Sequence, residues 1–237
     1  MKAHLAVTPA LRSTANPPEK SVTYVEFVTR WFGGKTGSGQ WPPTVDDLPG
    51  VTLACRGGPD ERTMNVRHDW RLGLAHRLDG DIRYGGAMRA PASWDIRHEL
   101  DPYRGKPELA PLAEAGRWAD GVLVRKTTTT RGKQESTVQA PALLCSYTLL
   151  GDFPAEPVLD RPAGVLVDGM TFIPNGKLQA ITGPLAEHPA ADGLTGYSLH
   201  HDAGLPIEFW VNTNGVVIYL CEGPNRVLVL SNLEALS

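Results

Sequence analysis

The stretch Leu205-Pro206-Ile207-Glu208-Phe209-Trp210-Val211-Asn212 runs into Thr213-Asn214-Gly215 and then into Val216-Val217-Ile218-Tyr219-Leu220-Cys221-Glu222. In its first part Leu205, Ile207, Phe209 and Val211 share one parity, and Pro206, Glu208, Trp210 and Asn212 share the other. Strand side chains alternate between faces, so this is the pattern of a strand with one face on a core. Asn214 and Gly215 tolerate the positive φ of a tight hairpin. Gly223-Pro224-Asn225 turns the chain again, and Val227–Leu230 is apolar on both parities, as a strand covered on both faces would be. From Leu194 to Ser231 the sequence therefore reads as an antiparallel meander.

The same pattern extends toward the N-terminus. Ser21–Phe32, Val51–Cys55, Thr63–Leu72, Asp81–Ala90 and Ser93–Asp101 read as strands, with Leu78-Asp79-Gly80 as a hairpin turn between the third and fourth. Trp94, Ile96, His98 and Leu100 share a parity, and Arg97 and Glu99 take the other. Leu112–Ala119 passes through Asp120-Gly121 into Val122–Thr130, and Arg131-Gly132-Lys133 turns into Glu135–Ala140. Leu143–Leu150 fits either a buried strand or a short helix. Val165–Val167 and Met170–Ile173 follow, with Asn175-Gly176 as a turn before Leu178–Thr182. Gly33–Gly50, with Trp41 at its centre, reads as a long loop. Turn chemistry recurs every ~8–12 residues with almost no helical periodicity, which predicts an all-β fold. The expected form is a single antiparallel, strongly curved sheet, or a β-barrel or half-barrel, with little helix. Residues 1–20 form a flexible arm and residues 21–237 one domain.

Composition bounds the function. With 25 glycines and 20 prolines in 237 residues, the chain favours short strands joined by turns. Its formal charge of −3 shows no basic excess, which argues against nucleic acid as a partner. No apolar run approaches the ~20 residues that span a bilayer. Met1–Lys20 lacks the roughly 7–15-residue apolar centre of a signal peptide, so a cytoplasmic protein is expected, or an exported one if a leader has been removed. Cys55, Cys145 and Cys221 show no paired framework and no C-x-x-C spacing, and Cys145 and Cys221 read as core filler.

Two histidine clusters offer acid–base chemistry: His68-Asp69, and His200-His201-Asp202 before Gly204. An imidazole beside a carboxylate is the usual general base, because its unperturbed pKa lies near neutrality. Neighbouring strand residues face opposite ways, so only one of His200 and His201 can face a cavity. Tyr197, Leu199 and His201 share the parity opposite to Ser198 and His200. The seven histidines show neither His-x-His nor His-Glu-x-x-His, so no metal and no other cofactor is expected. There is no Gly-x-Ser-x-Gly or Ser-x-x-Lys nucleophile motif, and Gly33-Gly34-Lys35-Thr36-Gly37-Ser38-Gly39 does not meet the phosphate-loop pattern. Trp70, Tyr84, Trp94, Trp210 and Tyr219 sit in strand-like runs and are the candidate ligand-binding residues, since aromatic rings suit the lining of a small-molecule cavity.

The run Gly204-Leu205-Pro206-Ile207-Glu208-Phe209-Trp210-Val211, then Asn-Gly, then Val216-Val217-Ile218-Tyr219, resembles a group of uncharacterised bacterial β-proteins related to the lipoprotein-carrier half-barrels. The resemblance covers roughly residues 165–231. It implies a curved sheet around an apolar cavity and carries no catalytic residue across. Sequence and resemblance together lead to one expectation, the binding of a small apolar or amphipathic molecule in such a cavity. The rival is a cofactor-independent cyclase, isomerase, hydrolase or lyase using a His/Asp pair there. A structural or interaction module is a third possibility.

Overall fold

Period-2 patterning gives rise to one sheet. The computed structural model describes residues 20–28, 50–58, 60–69, 75–100, 111–183, 192–222 and 226–231. The first strands are β1 (Lys20–Val28), β2 (Gly50–Gly57), β3 (Arg62–Asp69), β4 (Ala75–Gly85) and β5 (Ala90–Leu100). Next come β6 (Pro111–Ala119), β7 (Val122–Thr129), β8 (Gly132–Gln139) and β9 (Leu143–Cys145), followed by the helix α1 (Ser146–Gly151). The chain ends with β10 (Ala163–Val167), β11 (Thr171–Ala180), β12 (Leu194–His201), β13 (Ile207–Asn212), β14 (Val217–Glu222) and β15 (Arg226–Leu230).

The 15 strands of the described residues join one open sheet in the order β8-β7-β6-β5-β4-β3-β2-β1-β15-β14-β13-β12-β11-β10-β9. Every neighbouring pair is antiparallel except β9 with β10. The first and last strands pair at its centre, with Val25 opposite Val229. The two edge strands, β8 and β9, are consecutive in sequence and separated by residues 140–142 alone. That short link forces the sheet to roll, and β9 comes to lie against β5.

The inner face carries the core: Val22 and Tyr24 on β1, Val51 and Leu53 on β2, Met64 and Val66 on β3, and Ile207 and Phe209 on β13 are all buried. α1 fills the roll. All six of its residues are buried, and it packs on β2, β3, β9, β10 and β14. The sequence Leu143–Leu150 thus becomes both of its readings, a three-residue strand and then a helix.

Two expected turns lie inside strands. Asp79-Gly80 sits mid-β4, where a side chain at Gly80 would collide with the Asp95 carbonyl and the Ile96 side chain on β5. The glycine serves the close approach of two strands, not a reversal. Asn175-Gly176 lies within β11, where the β10 register jumps from Ala163–Gly176 to Val165–Ile173 and Pro174-Asn175 are accommodated as a bulge. The Asp120-Gly121 turn forms as expected, both residues taking positive φ (51° and 76°). Leu205 does not join the core: β13 begins at Ile207, and Leu205 is 58% exposed. On β15 only Leu228 is fully buried, so that strand is not sealed on both faces. Trp41, His4, His188 and nearly all of the N-terminal arm lie outside the described residues.

Candidate functional site

β3 sends Met64, Val66 and His68 inward and Asp69 outward. His68 is fully buried, with Nδ1 2.8 Å from Tyr147 Oη and Nε2 3.0 Å from an Arg226 Nη2. A guanidinium only donates, so Nε2 must accept; the ring is neutral and Nδ1–H donates to Tyr147. Arg226 also donates to Glu26 Oε1 (2.7 Å) and Glu222 Oε2 (2.6 Å). Asp69, on the other face, pairs with Arg77 at 2.7 Å. The sheet therefore separates the His68-Asp69 pair. Beside Ser146, Tyr147, Glu222 and Arg226 lies a space of about 10 Å³, room for roughly one water.

A second polar set fixes the other end of α1. Asp152, the helix C-cap, takes Arg62 and Arg89 Nε (3.0 Å for the latter), and Thr148 Oγ1 donates to the Arg89 carbonyl at 2.7 Å. Tyr24 Oη lies 3.0 Å from the carbonyls of both Leu150 and Val217, and burial pushes its pKa up. Burial likewise raises the thiol of Cys55, so it is a poor nucleophile. Cys145 is buried as expected of core filler, whereas Cys221 is half-buried, its pKa pushed up to about 11 by desolvation and by Glu208.

His200, His201 and Asp202 line one surface pocket of about 410 Å³ together with Lys177. His201 stands opposite Gly176 with both ring nitrogens buried and unpartnered, whereas His200 is exposed opposite Lys177. Asp202 accepts from Asn175 Nδ2 at 2.7 Å. Among the described residues no group of three or more metal-ligating side chains converges.

The aromatic candidates are dispersed. Tyr84 and Trp94 belong to the inner core, Trp94 lying over Gly116 where any side chain would collide with its indole. Trp210 and Tyr219 stack on the opposite face at 5.6 Å between centroids. Trp70 lies outside the described residues.

One further concavity was not foreseen. It is a groove of about 580 Å³ on the outer face of β6–β8. Ala115, Ala119, Val122 and Val124 make its apolar floor. Arg117, Asp120, Lys126 and Glu135 stand around it, Lys126 pairing with Glu135 at 3.4 Å. The signal available in sequence was the outward parity of β6 and β7, which carries alanine and valine where a solvated face carries polar residues. No family model, curated protein or solved structure matches the chain.

Proposed function

We propose that the protein binds a small apolar or amphipathic molecule, and that the outer groove over β6–β8 holds it. The supporting observation is the groove itself: about 580 Å³ with an apolar floor and a charged rim, within the ~300–1,000 Å³ usual for small-molecule sites. The interior is a less suitable place, because α1 occupies it and the space beside Tyr147 admits about one water. The resemblance to lipoprotein-carrier half-barrels points to the same class of ligand. No described helix is long and apolar enough to cross a membrane. Ala115→Trp fills the groove from a half-buried outer position. It is expected to abolish binding of 8-anilinonaphthalene-1-sulfonate while leaving the thermal midpoint unchanged. Undiminished probe binding would place the ligand elsewhere.

A cofactor-independent enzyme is the second reading, and the shared pocket of His200, His201, Asp202 and Lys177 favours it. A general base contributes about 10²–10⁴-fold. In a screen of small esters and lactones, any turnover should fall by that order in His201→Ala and hardly at all in His200→Ala. Equal, small losses from both would remove the pocket from catalysis.

A further inference from the structure

The groove continues into a row of charges that selects the sign of its ligand. In the ladders of β4, β5 and β6, Arg83 stands directly opposite Ser93, and Ser93 directly opposite Arg117. Their strand neighbours Ile82, Tyr84 and Trp94 are buried on the inner face, so all three side chains share the outer one. Directly opposed residues have Cβ atoms about 4.5–5.5 Å apart, which sets two arginines and a serine in one row across the outer face. Arg117 then pairs in register with Val124, both of them lining the groove. The row and the groove are continuous.

Among the described residues neither Arg83 nor Arg117 forms an ion pair, whereas Arg62, Arg77, Arg89, Arg125 and Arg226 each hold a carboxylate. The next row carries Asp81 opposite Asp95; Asp95 lies diagonal to both arginines, and Asp81, two residues from Arg83 on β4, takes a hydrogen bond from Asn65 Nδ2 at 3.2 Å. The register also jumps between Arg83 and Tyr84, leaving Ala92 unopposed beside Ser93. Bulges of this kind re-aim the adjacent side chains and recur next to binding sites.

We propose that Arg83, Ser93 and Arg117 cradle the anionic head of an amphipathic ligand, a carboxylate or similar singly charged oxyanion, whose apolar body lies along the groove. This assignment rests on the groove being the ligand site. Guanidinium forks match a carboxylate in two-point geometry, and the serine hydroxyl supplies a third donor between them. The apolar floor at Ala115, Ala119, Val122 and Val124 then takes the chain.

Calorimetric titration of the full chain with decanoate and with decan-1-ol tests it, the two probes differing in the head alone. Decanoate should bind roughly tenfold tighter or more, with a preference that weakens as salt rises. Arg83→Gln/Arg117→Gln should remove that preference, decanoate then binding no tighter than decan-1-ol to the same variant. Arg97→Gln, on the outer face of β5 but off the row, should keep it. Equal affinities in the wild type, or a preference that survives the double substitution, would overturn the cradle. Ala115→Trp separates the two levels of the reading. If it displaces both probes while no preference exists, the groove stands and the cradle falls; if both probes bind Ala115→Trp as tightly as wild type, the groove itself falls.

Discussion

Arg125 on β7 donates from Nη2 to the carbonyl of Met170, 3.2 Å away, across the gap that no strand ladder spans. Met170 sits at positive φ (62°) between β10 and β11, so its carbonyl is delivered by a turn to the inner face of the opposite end of the sheet. The same guanidinium holds the buried Glu114 through Nε (3.1 Å) and Nη2 (2.8 Å).

Arg125→Leu removes both connections and leaves Glu114 buried without its cation. Loss of one partner of a buried pair costs about 3–5 kcal/mol. Desolvation already raises the Glu114 pKa despite Arg125, so the variant should relieve part of the loss by taking up a proton. A raised carboxyl pKa stabilises the fold increasingly as pH falls toward it. Urea unfolding should therefore show a larger deficit relative to wild type at pH 7 than at pH 5. A deficit independent of pH would mean that Glu114 is not the charge left behind.

The His68 network yields a spectroscopic expectation. With Nε2 accepting from Arg226, nitrogen NMR should find a neutral ring protonated at Nδ1. Tyr147→Phe should cost about 1 kcal/mol, the usual net worth of one hydrogen bond. Arg226→Leu should cost about 3–5 kcal/mol, because it strands the buried Glu26 carboxylate. Comparable small costs for both would contradict the network as drawn.

His98 provides a pH dependence of opposite origin. Burial lowers its pKa from the ordinary value near 6.5 to about 4. The unfolded chain therefore takes up the proton first, and stability is lost as pH falls from about 6.5 to about 4. The contribution is on the order of 1–3 kcal/mol. His98→Leu should flatten the unfolding free energy across that window, and an unchanged slope would assign the acid sensitivity to other groups.

Gly116 is required by its neighbour. A side chain there would occupy the space of the Trp94 indole. Gly116→Val should destabilise by about 1–3 kcal/mol, as overpacked cores do, and should shift Trp94 fluorescence to the red. A blue-shifted or unaltered emission would show that the ring has other room.

How much of this was legible in the sequence depended on whether local chemistry or long-range packing decides a position. Strand parity was readable: Trp94, Ile96 and His98 point inward while Arg97 and Glu99 point out. So was the Asp120-Gly121 turn, whose conformation depends on those two residues alone. Gly80 and Gly176 misled because glycine marks close backbone approach as well as reversal, and only the pairing partner tells which. His68 and Asp69 part because neighbours in sequence fall on opposite faces of a strand, and the aromatic candidates divide because strand pairing, which no local pattern announces, puts Tyr84 and Trp94 in the core and stacks Trp210 on Tyr219 elsewhere. The alignment of Arg83, Ser93 and Arg117 spans three strands and depends on a bulge, so no local pattern announces it.

The pairing of β1 with β15 has a consequence for how the chain folds. Val25 meets Val229 only after every intervening strand has been made, so the central ladder of the sheet is also its most distant in sequence. Contacts of such separation carry the largest loop-closure cost and form slowly. During synthesis the meander β1–β8 can assemble by local hairpins alone, yet one edge of β1 stays unsatisfied until Arg226–Leu230 emerges. Until then that edge is open to pairing with another chain, and joining of the two half-sheets at β1 and β15 becomes the event that withdraws it.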